Sequence, residues 1–147
     1  MVRARDLYRC TMSETKKTER RLSSRILFSI RRYLFDLVVS FVCSALVPIP
    51  FRWRLLNLLG MHFDGRSFIN PGITIHGNNL TVGKSCVLGR GALLDCSAHI
   101  TIGDRVHFGP NVTILSVHHT IQPGVFRRDP NELRLSPVNI GRGSWIG

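Results

Sequence analysis

The fold is decided by residues 81–114, "TVGKSCVLGRGALLDCSAHITIGDRVHFGPNVTI". Within this stretch Val82, Leu88, Leu94, Ile102, Phe108 and Ile114 recur about every six residues. The series runs back to Ile75 and Ile69 and forward to Ile140 and Ile146, with steps of 6, 7, 6, 6, 8, 6, 6, 26 and 6. A glycine often follows the aliphatic residue: Gly83, Gly89, Gly103, Gly109, Gly141 and Gly147. Four positions after it stands a small or aliphatic side chain: Cys86, Ala92, Ala98, Val106, Val112 or Ser144. A helix repeats every 3.6 residues and a strand every 2, so neither alone explains a period of six. Short strands joined by tight corners do. Each hexad makes one flat face with its aliphatic residue inward, and glycine, Asp or Asn accepts the corner dihedrals. Three faces close a coil of about 18 residues, and successive coils pair about 4.8 Å apart, as neighbouring strands do. Stacking then buries one continuous aliphatic column.

On these residues, and on "PVNIGRGSWIG" at 137–147, the chain resembles the hexapeptide-repeat acyltransferases. It is most similar to the maltose, galactoside and capsular-sugar O-acetyltransferases. The resemblance covers about residues 55–147 and implies a mainly β fold: a left-handed parallel β-helix, preceded here by a helical, partly apolar segment. A sandwich or barrel of short strands is the alternative, but it gives no reason for a fixed six-residue spacing. The resemblance also implies acetyl-CoA as acyl donor, a sugar or polysaccharide acceptor, a homotrimer and no metal. The chain stops at "SWIG", where similar enzymes continue with hexads that supply much of the coenzyme site. The expectation is a C-terminally truncated coil, with weak or absent activity on its own.

The step of 26 from Ile114 to Ile140 is one hexad plus 20 residues. An excursion is therefore expected at about 118–136, beginning at the adjacent pair His118-His119 and rich in Pro, Asp, Asn and Arg. Long loops leaving a regular scaffold usually carry function. In the resembled enzymes the catalytic histidine falls eight residues after the Asn of the "NVTI" pattern, which gives His119 when counted from Asn111. Transfer from a thioester to a hydroxyl needs that hydroxyl deprotonated during attack, and an imidazole titrating near pH 6.5 is mostly a free base at neutral pH. His118 falls on the small-residue position of its hexad, so His119 is preferred as the base. The resemblance assigns acceptor binding to Asn111 and Asp95 and the acetyl-CoA channel to Trp145. Each also has a plainer reading: corner residues for Asn111 and Asp95, surface packing for Trp145, a loop histidine for His119. No G-x-S-x-G elbow is present. A zinc-dependent β-helix hydratase would need a set of three histidines with two of them five apart, and His76, His99, His107, His118 and His119 contain no such pair.

The N-terminal third has a different character. Residues 1–32 hold ten Lys/Arg against three Asp/Glu, a large share of the net charge of +11. Residues 1–24 read as a basic, mobile tail and 25–60 as an apolar or amphipathic helical segment, with 61–147 forming the β-helix. Tyr33 to Val47 contains one acid, Asp36, and no base, and it ends at Pro48 and Pro50. Fifteen residues fall short of the roughly 20 that a spanning helix needs. Three readings stand open: a helix pair capping the coil, an interfacial membrane anchor, or a true span. The basic flank is too long, and a small-residue cleavage site too poorly defined, for a signal peptide. Four cysteines without C-x-x-C spacing suit a reducing compartment, so the expected location is cytoplasmic, peripheral at the inner membrane face if the anchor reading holds. No nucleic-acid partner is expected. The rival function is a non-catalytic or degenerate scaffold whose basic N-terminus associates with membranes.

Overall fold

The computed structural model describes the backbone of residues 4–121, 123 and 128–147, and the side chains of residues 23–121, 123 and 132–147. It divides into two compact units, Met1–Phe35 and Asp36–Gly147. Helix α1 runs over Ala4–Val42, so the expected tail is helical from Ala4. This stretch holds no Gly or Pro and many Leu, Arg, Lys and Glu residues, which favour helix. A second helix, α2, spans Ile49–Leu58 with Pro at its first turn, where a missing N–H costs nothing. It is followed by Gly60 at φ 89, a left-handed stop that glycine adopts without strain. The chain is thus mixed rather than mainly β: the N-terminal third is helix and the remainder short strands.

The strands are β1 (His62–Phe63), β2 (Phe68–Ile69), β3 (Thr74–His76), β4 (Leu80–Val82), β5 (Val87–Leu88), β6 (Leu93–Asp95) and β7 (Ile100–Ile102). They continue with β8 (His107–Phe108), β9 (Thr113–Leu115), β10 (Val117–Ile121), β11 (Arg128–Leu135), β12 (Val138–Ile140) and β13 (Trp145–Ile146). Three sheets have the orders β1-β4-β7-β12, β2-β5-β8-β13 and β3-β6-β9, and every pair within them is parallel. The chain therefore visits three sheets in rotation. His62 pairs with Thr81 and Thr81 with Thr101, so a circuit takes 19 and then 20 residues rather than 18. The surplus enters at one corner only, between the third sheet and the first. Thr74 to Thr81 takes seven residues, Leu93 to Thr101 eight, and Thr113 to Asn139 twenty-six, whereas the other steps take six. The long excursion is an extreme case of a corner that already bulges.

Inward positions alternate with outward ones along each strand, and the inward set is the hexad series. Ile69, Ile75, Val82, Leu88, Leu94, Ile102 and Phe108 are buried, together with Cys86, Ala92, Val106 and Val112 between them. Truncating one of these, for example Leu94→Ala, costs about 2–5 kcal/mol through lost transfer energy and a cavity that relaxes only in part. The recurrent glycines have a different cause from the one expected. Gly83, Gly89, Gly103 and Gly109 are not at positive φ. A Cβ on Gly103 would lie 2.7 Å from the Arg142 amide nitrogen, and one on Gly89 would lie 2.6 Å from the Phe108 carbonyl oxygen. They are glycine because the next circuit's backbone passes too close. The left-handed corner positions come two residues later, at Ser85, Arg105 and Gly143 on one edge and Gly72, Gly91 and Asn111 on another.

The helices meet the first circuit. Val39, Val42, Cys43 and Leu56 are buried, and the Cys43 carbonyl accepts the Gly72 amide at 3.0 Å. Arg52, in the first turn of α2, is buried. Its guanidinium donates to the carbonyls of Val47 (2.8 Å), Ile69 (2.6 Å) and Ser44 (2.7 Å), tying the turn between the helices to β2. No helix among the described residues is long and apolar enough to cross a membrane.

Candidate active site

The parallel ladder is interrupted once. Between β9 and β12 the chain leaves the coil as an antiparallel pair, β10 against β11, and resumes in register when β12 pairs with β7. Five of the 20 extra residues fall at 122 and 124–127, outside the described set. Ser116 forms the foot of the excursion and is buried. Its hydroxyl accepts the Ala98 amide at 2.8 Å and donates to the Asp95 carbonyl, and the Ser136 amide returns to its carbonyl at 2.9 Å. The exit and the re-entry of the excursion are thus fastened to the circuit before.

The two histidines follow directly. His118 pairs with Arg134 and is exposed, while His119 pairs with Leu133 and is half-buried. Ser116, one residue past the Asp95–Leu115 register pair, takes the position of Cys96 in the circuit before. By His118 the coil has already been left, so His118 does not occupy the small-residue position expected for it. The Nδ1 of His119 is shielded from solvent and has no hydrogen-bond partner among the described residues, and the Thr120 hydroxyl is in the same state. Buried polar atoms are almost always paired in a finished structure. Leu133, Leu135, Ile121 and Leu115 are all exposed beside them.

Asp95 lies at the end of β6, and its carbonyl receives the Ser116 hydroxyl, so it stands at the foot of the excursion. Its carboxylate is turned locally, accepting the Ser97 amide at 3.0 Å and the Ser97 hydroxyl at 2.5 Å, the arrangement of a corner Asp. Asn111 sits at the other end of β9, left-handed at φ 59, with its amide donating to the Arg90 carbonyl. Five residues of extended chain, roughly 16 Å, separate it from Ser116. Trp145 projects from the second sheet in register with His107 and is 82% exposed. One chain therefore brings Asp95 to the excursion that carries His119, and leaves Asn111 and Trp145 on other parts of the coil.

The three cysteines among the described side chains are buried and free. Burial pushes the Cys43 thiol up to about 11 and Cys96 to about 12, and raises Cys86 as well. Cys10 lies outside the described side chains. Among the described residues no cluster of three or more His, Cys, Asp and Glu is disposed to hold a metal ion. Sequence reasoning missed Ser116. Its signal was the alignment of Gly77, Cys96 and Ser116 on one corner, which emerges only once circuits of 19 and 20 residues replace a circuit of 18. It missed a second pairing too: His76 Nδ1 lies 3.5 Å from Asp36 Oδ2, and Asp36 Oδ1 is buried without a partner among the described residues.

No protein-family model, curated protein or solved structure matches the chain. Function is therefore read from its residues and their geometry.

Proposed function

We propose that the three-sheet coil is a left-handed parallel β-helix and that the chain is an O-acyltransferase. It would move an acetyl group from acetyl-CoA to a hydroxyl of a sugar or polysaccharide, with His119 as general base. The observation that carries the reading is the single break in the coil. The ladder resumes in register across it, so the excursion adds nothing that the coil needs for its own continuity. What it presents is a half-buried histidine with a ring nitrogen that has no partner among the described residues. In this reading Nε2 takes the acceptor hydroxyl proton as the oxygen attacks the thioester carbon. The C–O bond forms, the C–S bond breaks, and the imidazolium returns the proton to the departing thiolate. The developing oxyanion needs N–H donors, which main-chain groups of the coil can supply.

A homotrimer belongs to this reading. The exposed Leu133, Leu135, Ile121 and Trp145 are large apolar groups of the kind a neighbouring copy covers. The Nδ1 of His119, without a partner among the described residues, gains an acceptor if a second chain closes over β10 and β11. Such a site would join His119 of one chain to Trp145 of another. Asn111 and Asp95 would hold the acceptor. The location that fits is cytoplasmic, with buried free thiols suiting a reducing compartment, and peripheral at the inner face of a membrane. Transfer is tested by following release of free coenzyme A thiol from acetyl-CoA in the presence of an oligosaccharide acceptor, with the acetylated product identified by mass. A folded, trimeric preparation that acetylates no saccharide would favour the rival reading, a β-helix scaffold with a membrane-associating N-terminus.

A further inference from the structure

We infer that the N-terminal helices bind the surface of an anionic lipid bilayer through an apolar face that the coil leaves uncovered. The capping role explains only one side of the end of α1. Val39, Val42 and Cys43 are buried, yet Leu37, Val38 and Phe41, on the other side of the same turns, are 51%, 44% and 56% exposed. Helix α2 repeats the pattern. Arg52 and Leu56 are buried, while Phe51 and Leu58, seven residues apart and so on one side, are exposed. Between them Arg54 lies with its guanidinium 5.0 Å from the centre of the Trp53 ring, a pairing of cation and amphipathic ring suited to headgroup depth. Taken by itself, the described part of the first unit shows the same composition. Ile26, Leu27, Phe28, Ile30, Tyr33 and Leu34 are exposed, and Arg25, Arg31 and Arg32 stand among them. None of these arginines forms an ion pair with a described residue.

Two occupants compete for such a face, a second copy of the helix and a bilayer. Ile26, Ile30, Tyr33 and Leu37 follow the 4-3-4 spacing of a coiled-coil seam, but the next seam position is Ser40, and the helix ends at Val42. The apolar residues Leu27, Leu34 and Val38 fall beside the seam rather than on it, giving a band wider than a helix partner covers. A broad apolar band bordered by bases is the pattern of a helix lying in the interface, and the ten bases against three acids in residues 1–32 select anionic lipid. No helix among the described residues is suited to spanning. The helix would therefore lie on the membrane, and the bond from the Gly72 amide to the Cys43 carbonyl would hold the coil to it.

The test is flotation of the whole chain with vesicles of phosphatidylcholine alone or with 30% phosphatidylglycerol. Binding is expected to the anionic vesicles, weakened several-fold by 0.5 M salt but not abolished, because the apolar contact survives screening. The triple change Leu37→Ser, Val38→Ser and Phe41→Ser alters only exposed positions. It should reduce partition at least tenfold with the circular dichroism spectrum and melting curve retained. Arg25→Gln, Arg31→Gln and Arg32→Gln together should remove much of the preference for anionic lipid and keep the weak binding to neutral vesicles. Wild-type chain that stays with the unbound fraction, or a serine variant that binds as before, overturns the inference. So does a serine variant that loses oligomeric state while its lipid binding is unchanged, since the face would then belong to a second copy. His119→Ala should float like the wild type, so lipid binding and acyl transfer stand or fall separately.

Discussion

The Ser116 hydroxyl accepts the Ala98 amide proton at 2.8 Å across the corner where the excursion leaves the coil. This bond adds to the backbone bond from the Ser116 amide to the Asp95 carbonyl at 3.2 Å, and the serine is buried. Ser116→Ala would strand a sheltered N–H and remove the hydroxyl's bond to the Asp95 carbonyl, which still accepts the amide of residue 116. A loss of about 1–3 kcal/mol is expected, the cost of an unmade buried hydrogen bond. Urea unfolding checks it, and an unchanged midpoint would show that the corner is held by something else.

Arg52 gives a second prediction. It is a buried cation whose three hydrogen bonds all go to carbonyls, so its value lies in a planar fork that reaches three directions at once. Arg52→Lys keeps the charge and loses the fork, and should destabilise by about 1–3 kcal/mol. Arg52→Met leaves three carbonyls without a donor and should cost more. Equal stability of the lysine variant and the wild type in guanidinium titration would contradict this account.

The buried thiols link stability to alkaline pH. Cys43 and Cys96 hold their protons to about 11 and about 12 in the folded chain, against an ordinary value of 9.0. Unfolding therefore exposes groups that ionise more readily, and deprotonation favours the unfolded state. Their contribution is fully present below pH 9 and declines as pH rises from there to about 11–12. A Cys10→Ser variant should also resist thiol-specific labelling at pH 8 until it unfolds globally. Rapid modification of the native chain would mean that the coil interior is open.

What the sequence disclosed and what it hid divide along a physical line. The inward column from Ile69 to Phe108 was legible because burial acts on side-chain type, and every one of those residues is inside. The glycines were legible as positions but not as causes, since close approach of another circuit is a long-range fact. The circuit length was misread as 18 because the surplus residues sit at a corner, where no hydrophobic pattern marks them. The break near His119 was visible as a step of 26, yet Ser116 and Arg52 escaped notice. A polar residue buried by its hydrogen bonds looks, in a string of letters, like any surface serine or arginine. Asp95 was read as an acceptor-binding residue or a corner Asp, and the turn of its carboxylate onto Ser97 depends on a bulged corner that periodicity smooths over.

The strongest prediction separates the two adjacent histidines. His118 is exposed opposite Arg134, and His119 is half-buried opposite Leu133 with its Nδ1 sheltered. In a preparation that transfers acetyl groups, His119→Ala should lower kcat by about 10²–10⁴, the usual contribution of a positioned general base, which is roughly 3–5 kcal/mol of barrier. The KM for acetyl-CoA should barely move, because in the proposed mechanism the imidazole acts on the acceptor hydroxyl and not on the donor. His118→Ala should cost far less, since its ring stands away from the sheltered side of the strand. The double variant should match His119→Ala alone, with the melting midpoint reported for all three so that loss of fold is not read as loss of chemistry. If His118→Ala carries the defect and His119→Ala does not, the base is the other imidazole. If neither change slows transfer, a histidine general base is the wrong mechanism for this coil.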